Sequence, residues 1–171
     1  MLLFLDVDGV LLGKRDPRDI RHCMAAGCEE FIDFALARFD CYWLTSHCRG
    51  DAPAVIDYLR PYADASLLAK LERIRPTDYR TFKTEALHGD FLWVDDAPTV
   101  YELDFLENNG MLHRWMQVDT RTEYTALGSL IPDLDLSTAT MECPPGAVLF
   151  VGLVAGLFAV RSTLPAPLLA A

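Results

Sequence analysis

The side chains best placed to do chemistry stand at the start of the chain, in Leu2-Leu-Phe-Leu5-Asp6-Val7-Asp8-Gly9-Val10. Leu2 to Leu5 is a short unbroken apolar run, the pattern of a strand buried on both faces of a parallel sheet. Two carboxylates one residue apart follow it, and then a glycine where the chain must turn out of the sheet. A second pair, Asp95 and Asp96, ends another apolar run, Phe91 to Val94. In open α/β sheets ligands collect at the carboxyl ends of the strands. Two like charges about 4 Å apart repel by roughly 4 kcal/mol at an effective dielectric near 20. A hard divalent cation offsets that repulsion, and Mg²⁺ characteristically binds through one or two carboxylates together with substrate phosphate. A lone DxD also occurs as a turn or helix cap; four acids at the ends of two buried strands favour the cation.

The elements that must carry these groups alternate. A polar loop runs from Leu11 to Ile20, and a helical pattern covers about Met24 to Arg38. Cys41 to Leu44 reads as a second strand, ending in Thr45-Ser46-His47. The connection between these strands is long enough for one βαβ crossover and too short for a large inserted domain. Asp51 to Leu59 reads as a helix with Pro53 in its first turn. Tyr62 to Arg80 is poorly legible, with Ala65 to Leu71 open as strand or helix. Phe82 to Leu87 reads as a short helix ahead of the strand Phe91 to Val94. Val100 to Asn108 is helical after Pro98 and stops at Asn109-Gly110. Trp115 to Val118 is a further strand, and Tyr124 to Leu130 a last helix closed by Pro132. Strands alternating with helices give an α/β fold, a doubly wound parallel sheet in three layers without a large cap domain. The expected organisation is a catalytic domain over residues 1–143 and an apolar tail over 144–171.

The length suits one well-cored domain, and 51% of the residues are hydrophobic. A formal net charge of -10 disfavours an extended, sequence-independent grip on nucleic acid, which draws on clustered Lys and Arg. Arg73, Arg75 and Arg80 could still form a local basic patch. Five irregularly spaced cysteines, Cys23, Cys28, Cys41, Cys48 and Cys143, indicate reduced thiols in a cytoplasmic protein. They lack the paired spacing of a zinc site. The apolar start has no basic head and is cut by Asp6 and Asp8, unlike a signal peptide. Residues 146–160 carry no charge, which admits contact with a membrane or partner, though the run is shorter than the roughly 20 residues of a spanning helix.

Three strand ends thus carry polar groups in order: Asp6 and Asp8, Thr45 and Ser46, Asp95 and Asp96, with Lys83 just ahead of the third. Written as patterns these are hhhhDxDG[VT] at Leu2 to Val10, hhh[TS] at Tyr42 to Thr45, a lysine before the acidic strand, and hhhDD at Leu92 to Asp96. The set resembles the haloacid dehalogenase superfamily of phosphohydrolases over roughly the first 130 residues. More narrowly, the DVDGVL opening, Trp43-Leu-Thr-Ser and Leu92-Trp-Val-Asp-Asp are similar to the small domain of that superfamily found in Swiss Army Knife RNA repair proteins.

The resemblance implies a role for each residue. Asp6 would be the nucleophile that becomes an aspartyl-phosphate. Asp8 would protonate the leaving oxygen and then deprotonate the attacking water. Mg²⁺ would be held by Asp6, by Asp8 through its backbone carbonyl, and by Asp95 and Asp96, the first of that pair being the nearer ligand. Thr45 would hydrogen-bond a phosphoryl oxygen and Lys83, preferred to Lys70, would add fixed positive charge. Ser46, His47 and Arg49 would contact substrate. The lack of a cap implies an open site and an accessible phosphomonoester: a nucleic-acid end, a nucleotide or another ester. Two other classes compete. A phosphoacceptor switch uses adjacent acids after its first strand and a lysine after its last, unlike the spacing here. A non-catalytic module of the same fold, tethered through residues 146–160, would keep the shape without the turnover.

Overall fold

In a computed structural model of the chain, which describes residues 1–141, four parallel strands form the central sheet. In chain order the elements are β1 (Leu2–Leu5), β2 (Leu12–Gly13), β3 (Cys23–Met24), α1 (Cys28–Arg38), β4 (Asp40–Trp43), α2 (Ala52–Leu59) and α3 (Ala65–Leu71). They continue with a 3-10 turn at Lys83–Ala86, β5 (Phe91–Asp95), α4 (Val100–Asn108), β6 (Trp115–Gln117) and α5 (Ala126–Met141). The sheet order is β4-β1-β5-β6. From β1 the chain moves to one side to build β4 and then returns to the other side for β5. The gap at the carboxyl ends of β1 and β5 is therefore the point where the winding reverses, the position at which open α/β sheets leave a crevice. The chain is α/β, with a parallel sheet of Rossmann-like kind.

Side-chain alternation divides the core. Leu3, Leu5, Cys41, Trp43, Leu92 and Val94 face a large cluster completed by α1, α2, α3 and α5. Phe4, Phe91 and Trp93 face the opposite way with Leu106 of α4. Each central strand thus buries both faces, which is why its sequence is an uninterrupted apolar run. Burial of this kind stabilises at roughly 25 cal/mol per Å² of apolar surface.

Three sequence expectations need correction. Leu11 to Ile20 is not simply a polar loop, and the following helix does not begin at Met24. Leu12–Gly13 pairs antiparallel with Cys23–Met24 in a two-stranded ribbon, and α1 begins at Cys28. Four residues in two strands are too few to leave a period-2 signal. The last helix does not stop before Pro132; it continues to Met141 with the proline inside. Leu127, Leu130 and Leu134 are buried at helical spacing against the larger core, and their packing outweighs the break in the helix ladder. Elsewhere Ala65–Leu71 resolves as a helix capped by Asp64, whose carboxylate accepts from the Leu67 amide. The segment at Arg75 runs beside β4 through two backbone bonds to Cys41 and Trp43. Among the described residues no helix is long and apolar enough to cross a membrane. The 144–171 tail and its apolar stretch lie outside the described residues.

The ribbon is fixed to the body at Gly13, where a Cβ would stand 1.9 Å from Oγ1 of the fully buried Thr120. That hydroxyl also donates to the carbonyls of Gly9 and Val10. Gly13→Ala should therefore destabilise the fold by about 2 kcal/mol through overpacking, read as a lowered urea midpoint with unchanged slope.

Candidate active site

Parallel pairing dictates the centre of the site. Leu5 is in register with Val94, so the next residues, Asp6 and Asp95, come side by side at the strand ends. Their side chains fall on the same face of the sheet as Phe4 and Trp93, two positions earlier. Both acids are buried, and between them lies Lys83: its Nζ is 3.0 Å from Asp6 Oδ2 and 2.6 Å from Asp95 Oδ2. The lysine is aimed there by the 3-10 turn it begins. Its backbone amide donates to buried Glu102 at 2.6 Å, and Glu102 in turn caps α4 through the amide and hydroxyl of Thr99. Lys70 stands apart, paired on the surface with Glu29 and Asp33.

Electrostatics follow from this crowding. Burial raises the Asp95 carboxyl and Asp6 raises it further; Lys83 opposes both, and the result is about 6. Burial disfavours the Lys83 charge, but Asp6 and Asp95 outweigh it and hold the ammonium protonated. Burial likewise raises Asp96, against the pull of Arg121, which ion-pairs with it. Arg121 also bonds Asp119 at 3.0 Å and, against burial, holds that carboxyl below its ordinary value.

Asp8 has a different setting. The chain leaves the strand after Asp6 and turns at Gly9, whose φ of 78° is left-handed. A Cβ at Gly9 would lie 2.5 Å from Asp96 Oδ2, so only glycine lets this turn close against the second acid pair. Asp8 Oδ2 lies 2.8 Å from His47 Nε2, and the Tyr58 hydroxyl donates to Oδ1 at 2.9 Å. The two rings stack at 3.7 Å. Burial and the Asp8 carboxylate push the Tyr58 phenol up to about 12.

The structure thus brings Asp6, Asp8, Lys83, Asp95 and Asp96 together at one sheet edge, with His47 joined to them through Asp8. Thr45 is buried at the adjacent end of β4, and its Oγ1 accepts from the His47 amide at 3.5 Å. Ser46 and Arg49 are exposed in the turn that follows, with Arg49 in left-handed backbone at φ 34°. Tyr58, Glu102 and Arg121 escaped the sequence reading. Glu102 had a legible signal, the Thr99-x-x-Glu102 capping box after Pro98. Tyr58 and Arg121 had none, since the site acids they reach, Asp8 and Asp96, are 50 and 25 residues away.

One oxygen from each of Asp6, Asp95 and Asp96 lies within 4.8 Å of the others, the one such grouping of three potential metal ligands among the described residues. All three donors are hard oxygens, and the span fits a cation with metal–oxygen distances of about 2.0 to 2.6 Å. Asp95 and Asp96 both contribute, so the expected ranking of one over the other is not apparent. The side chain of Asp8 is not among these donors; it pairs with His47 and Tyr58. Lys83 and Arg121 supply fixed positive charge here, yet four carboxylates, Asp6 and Asp95 beside Lys83 and Asp96 and Asp119 beside Arg121, face these two cations.

A scan against protein-family models and searches of curated proteins and of solved structures find no match to this chain.

Removing the central cation leaves two buried acids facing each other. Lys83→Met should cost about 3 kcal/mol of stability at pH 8, above the Asp95 value of about 6. Asp95 titrates from an ordinary 3.8 to about 6 on folding, so the native state binds its proton more tightly and this group favours folding most below pH 4. With Lys83 gone that proton is held tighter still. The loss should accordingly shrink at pH 5, as measured by urea unfolding of both proteins at the two pH values.

Proposed function

We propose that the chain is a Mg²⁺-dependent phosphohydrolase of the capless haloacid dehalogenase type, working through an aspartyl-phosphate on an accessible phosphomonoester. The observation that carries this reading is the pair of unlike acids at one strand tip. Asp6 is buried beside Lys83 at the reversal point of the sheet, and Asp8, two residues on, is half-exposed with its own donors. Two carboxylates in contrasting surroundings suit contrasting roles.

Asp6 attacks phosphorus in line, forming the acyl-phosphate bond between its carboxylate oxygen and phosphorus as the bond to the leaving oxygen breaks, and Asp8 gives that oxygen its proton. Asp8 then takes a proton from water as the water attacks phosphorus, which frees inorganic phosphate and regenerates Asp6. Lys83, 3.0 Å from Asp6, steadies the gathering negative charge, with Thr45 placed to donate to a phosphoryl oxygen. Mg²⁺, held by Asp6, the Asp8 carbonyl and Asp95 or Asp96, would neutralise the phosphoryl oxygens during transfer.

Between β1 and β4 the chain supplies only the short ribbon and α1, which supports the reading without a cap and a doubly wound sheet in three layers. An uncovered site accommodates bulky esters, such as a nucleic-acid end, as well as nucleotides; Ser46 and Arg49 lie exposed beyond Thr45 to meet them. A cytoplasmic location is supported by the cysteines among the described residues, Cys23, Cys28, Cys41 and Cys48, which are free thiols.

Asp6→Asn preserves shape and removes the nucleophile. It should lower Mg²⁺-dependent hydrolysis of 4-nitrophenyl phosphate by at least about a thousandfold, with circular dichroism unchanged. Full activity in that variant would end the proposal.

A further inference from the structure

We infer that His47 and Tyr58 are positioning residues that aim the Asp8 carboxyl at the leaving group, rather than contacts to substrate. The inference rests on the phosphohydrolase reading and assigns the residues that make its acid–base step work.

The Asp8 side chain is 39% exposed, and its own packing does little to choose a rotamer. An unrestrained aspartate of this kind samples several staggered wells. Here each oxygen is taken from a different direction: Oδ1 by the Tyr58 hydroxyl at 2.9 Å and Oδ2 by His47 Nε2 at 2.8 Å. The donors brace one another, their rings stacked 3.7 Å apart and 15° from parallel. Each is also anchored behind. Tyr58 projects from α2, whose Val55, Ile56 and Leu59 are buried in the larger core. His47 sits in the tight turn after Thr45, where its amide and that of Cys48 both bond Thr45. Two segments, 39 and 50 residues along the chain from Asp8, converge on its carboxyl group. Such fixing matters because a 1 Å misplacement of a reacting group can cost about a hundredfold in rate.

A carboxylate oxygen can accept more than one hydrogen bond, so neither contact closes Asp8 to a ligand. Bonds from two sides do set the plane of the carboxyl group and hence the direction from which it meets a leaving oxygen. His47 was expected to contact substrate; its Nε2 is instead spent on Asp8.

The test uses the full chain and two esters, phenyl phosphate and 4-nitrophenyl phosphate, whose leaving groups differ in their need for a proton. The quantity read is kcat/KM, which covers the steps through leaving-group departure. Tyr58→Phe and His47→Ala should each lower it by about tenfold or more for phenyl phosphate and by less than about threefold for 4-nitrophenyl phosphate. His47→Gln, whose amide nitrogen reaches the neighbourhood of Nε2, should restore most of the loss on phenyl phosphate. Equal losses on both esters, or an effect confined to KM, would overturn the inference, because general loosening of the site does not distinguish leaving groups. If Asp6→Asn leaves turnover of both esters intact, the phosphohydrolase reading itself fails and the inference goes with it.

Discussion

The ammonium of Lys83 between Asp6 and Asp95 is the interaction on which the rest of the site depends. Parallel register forces these two carboxylates alongside each other at the tips of β1 and β5, where the sheet reverses its winding. Left alone they would repel at close range in a poorly hydrated setting. Several features serve to keep the lysine there: the 3-10 turn that begins with it, the buried Glu102 that accepts from its amide, and the capping box that fixes Glu102 at the start of α4. The indole of Trp115 reinforces the same tip by donating to the Asp95 carbonyl. An edge strand, a helix start and a connecting turn are thus tied to one charge.

The second acid of the opening motif escapes that arrangement because the strand has ended. Asp6 still obeys the alternation of the sheet and points into the crevice. Asp8 follows it into the turn that Gly9 closes, where α2 and the loop after β4 can reach it. Two carboxylates one residue apart therefore come to have different neighbours, one a buried cation and the other a phenol and an imidazole. Divergent surroundings are how like side chains take on unlike chemical tasks.

Much of this was visible in the chain before any fold was drawn. The apolar runs ending in Asp6, Thr45 and Asp95 marked three buried strands, and Lys83, just ahead of the third, was preferred to Lys70; that the three strands lie side by side came only with the sheet order. The short ribbon at Leu12–Gly13 and Cys23–Met24 was not legible, since two residues per strand carry no periodicity. Pro132 misled for the opposite reason: local chemistry argued for a stop, while the buried stripe of Leu127, Leu130 and Leu134 carried the helix through. Arg121 altered the charge argument most. Its partner Asp96 was in view, but nothing in the order of residues says that a guanidinium 25 positions on will fold back onto it.

Periodicity and composition by themselves determined the class of fold and the strand ends at which acids would gather, because burial on two faces permits only one kind of sequence there. Which of those acids would touch, which cation would part them and which donors would hold Asp8 were decided by tertiary structure alone. Register and helix packing set distances between residues dozens of positions apart. Charge interactions at contact range depend on those distances rather than on spacing along the chain.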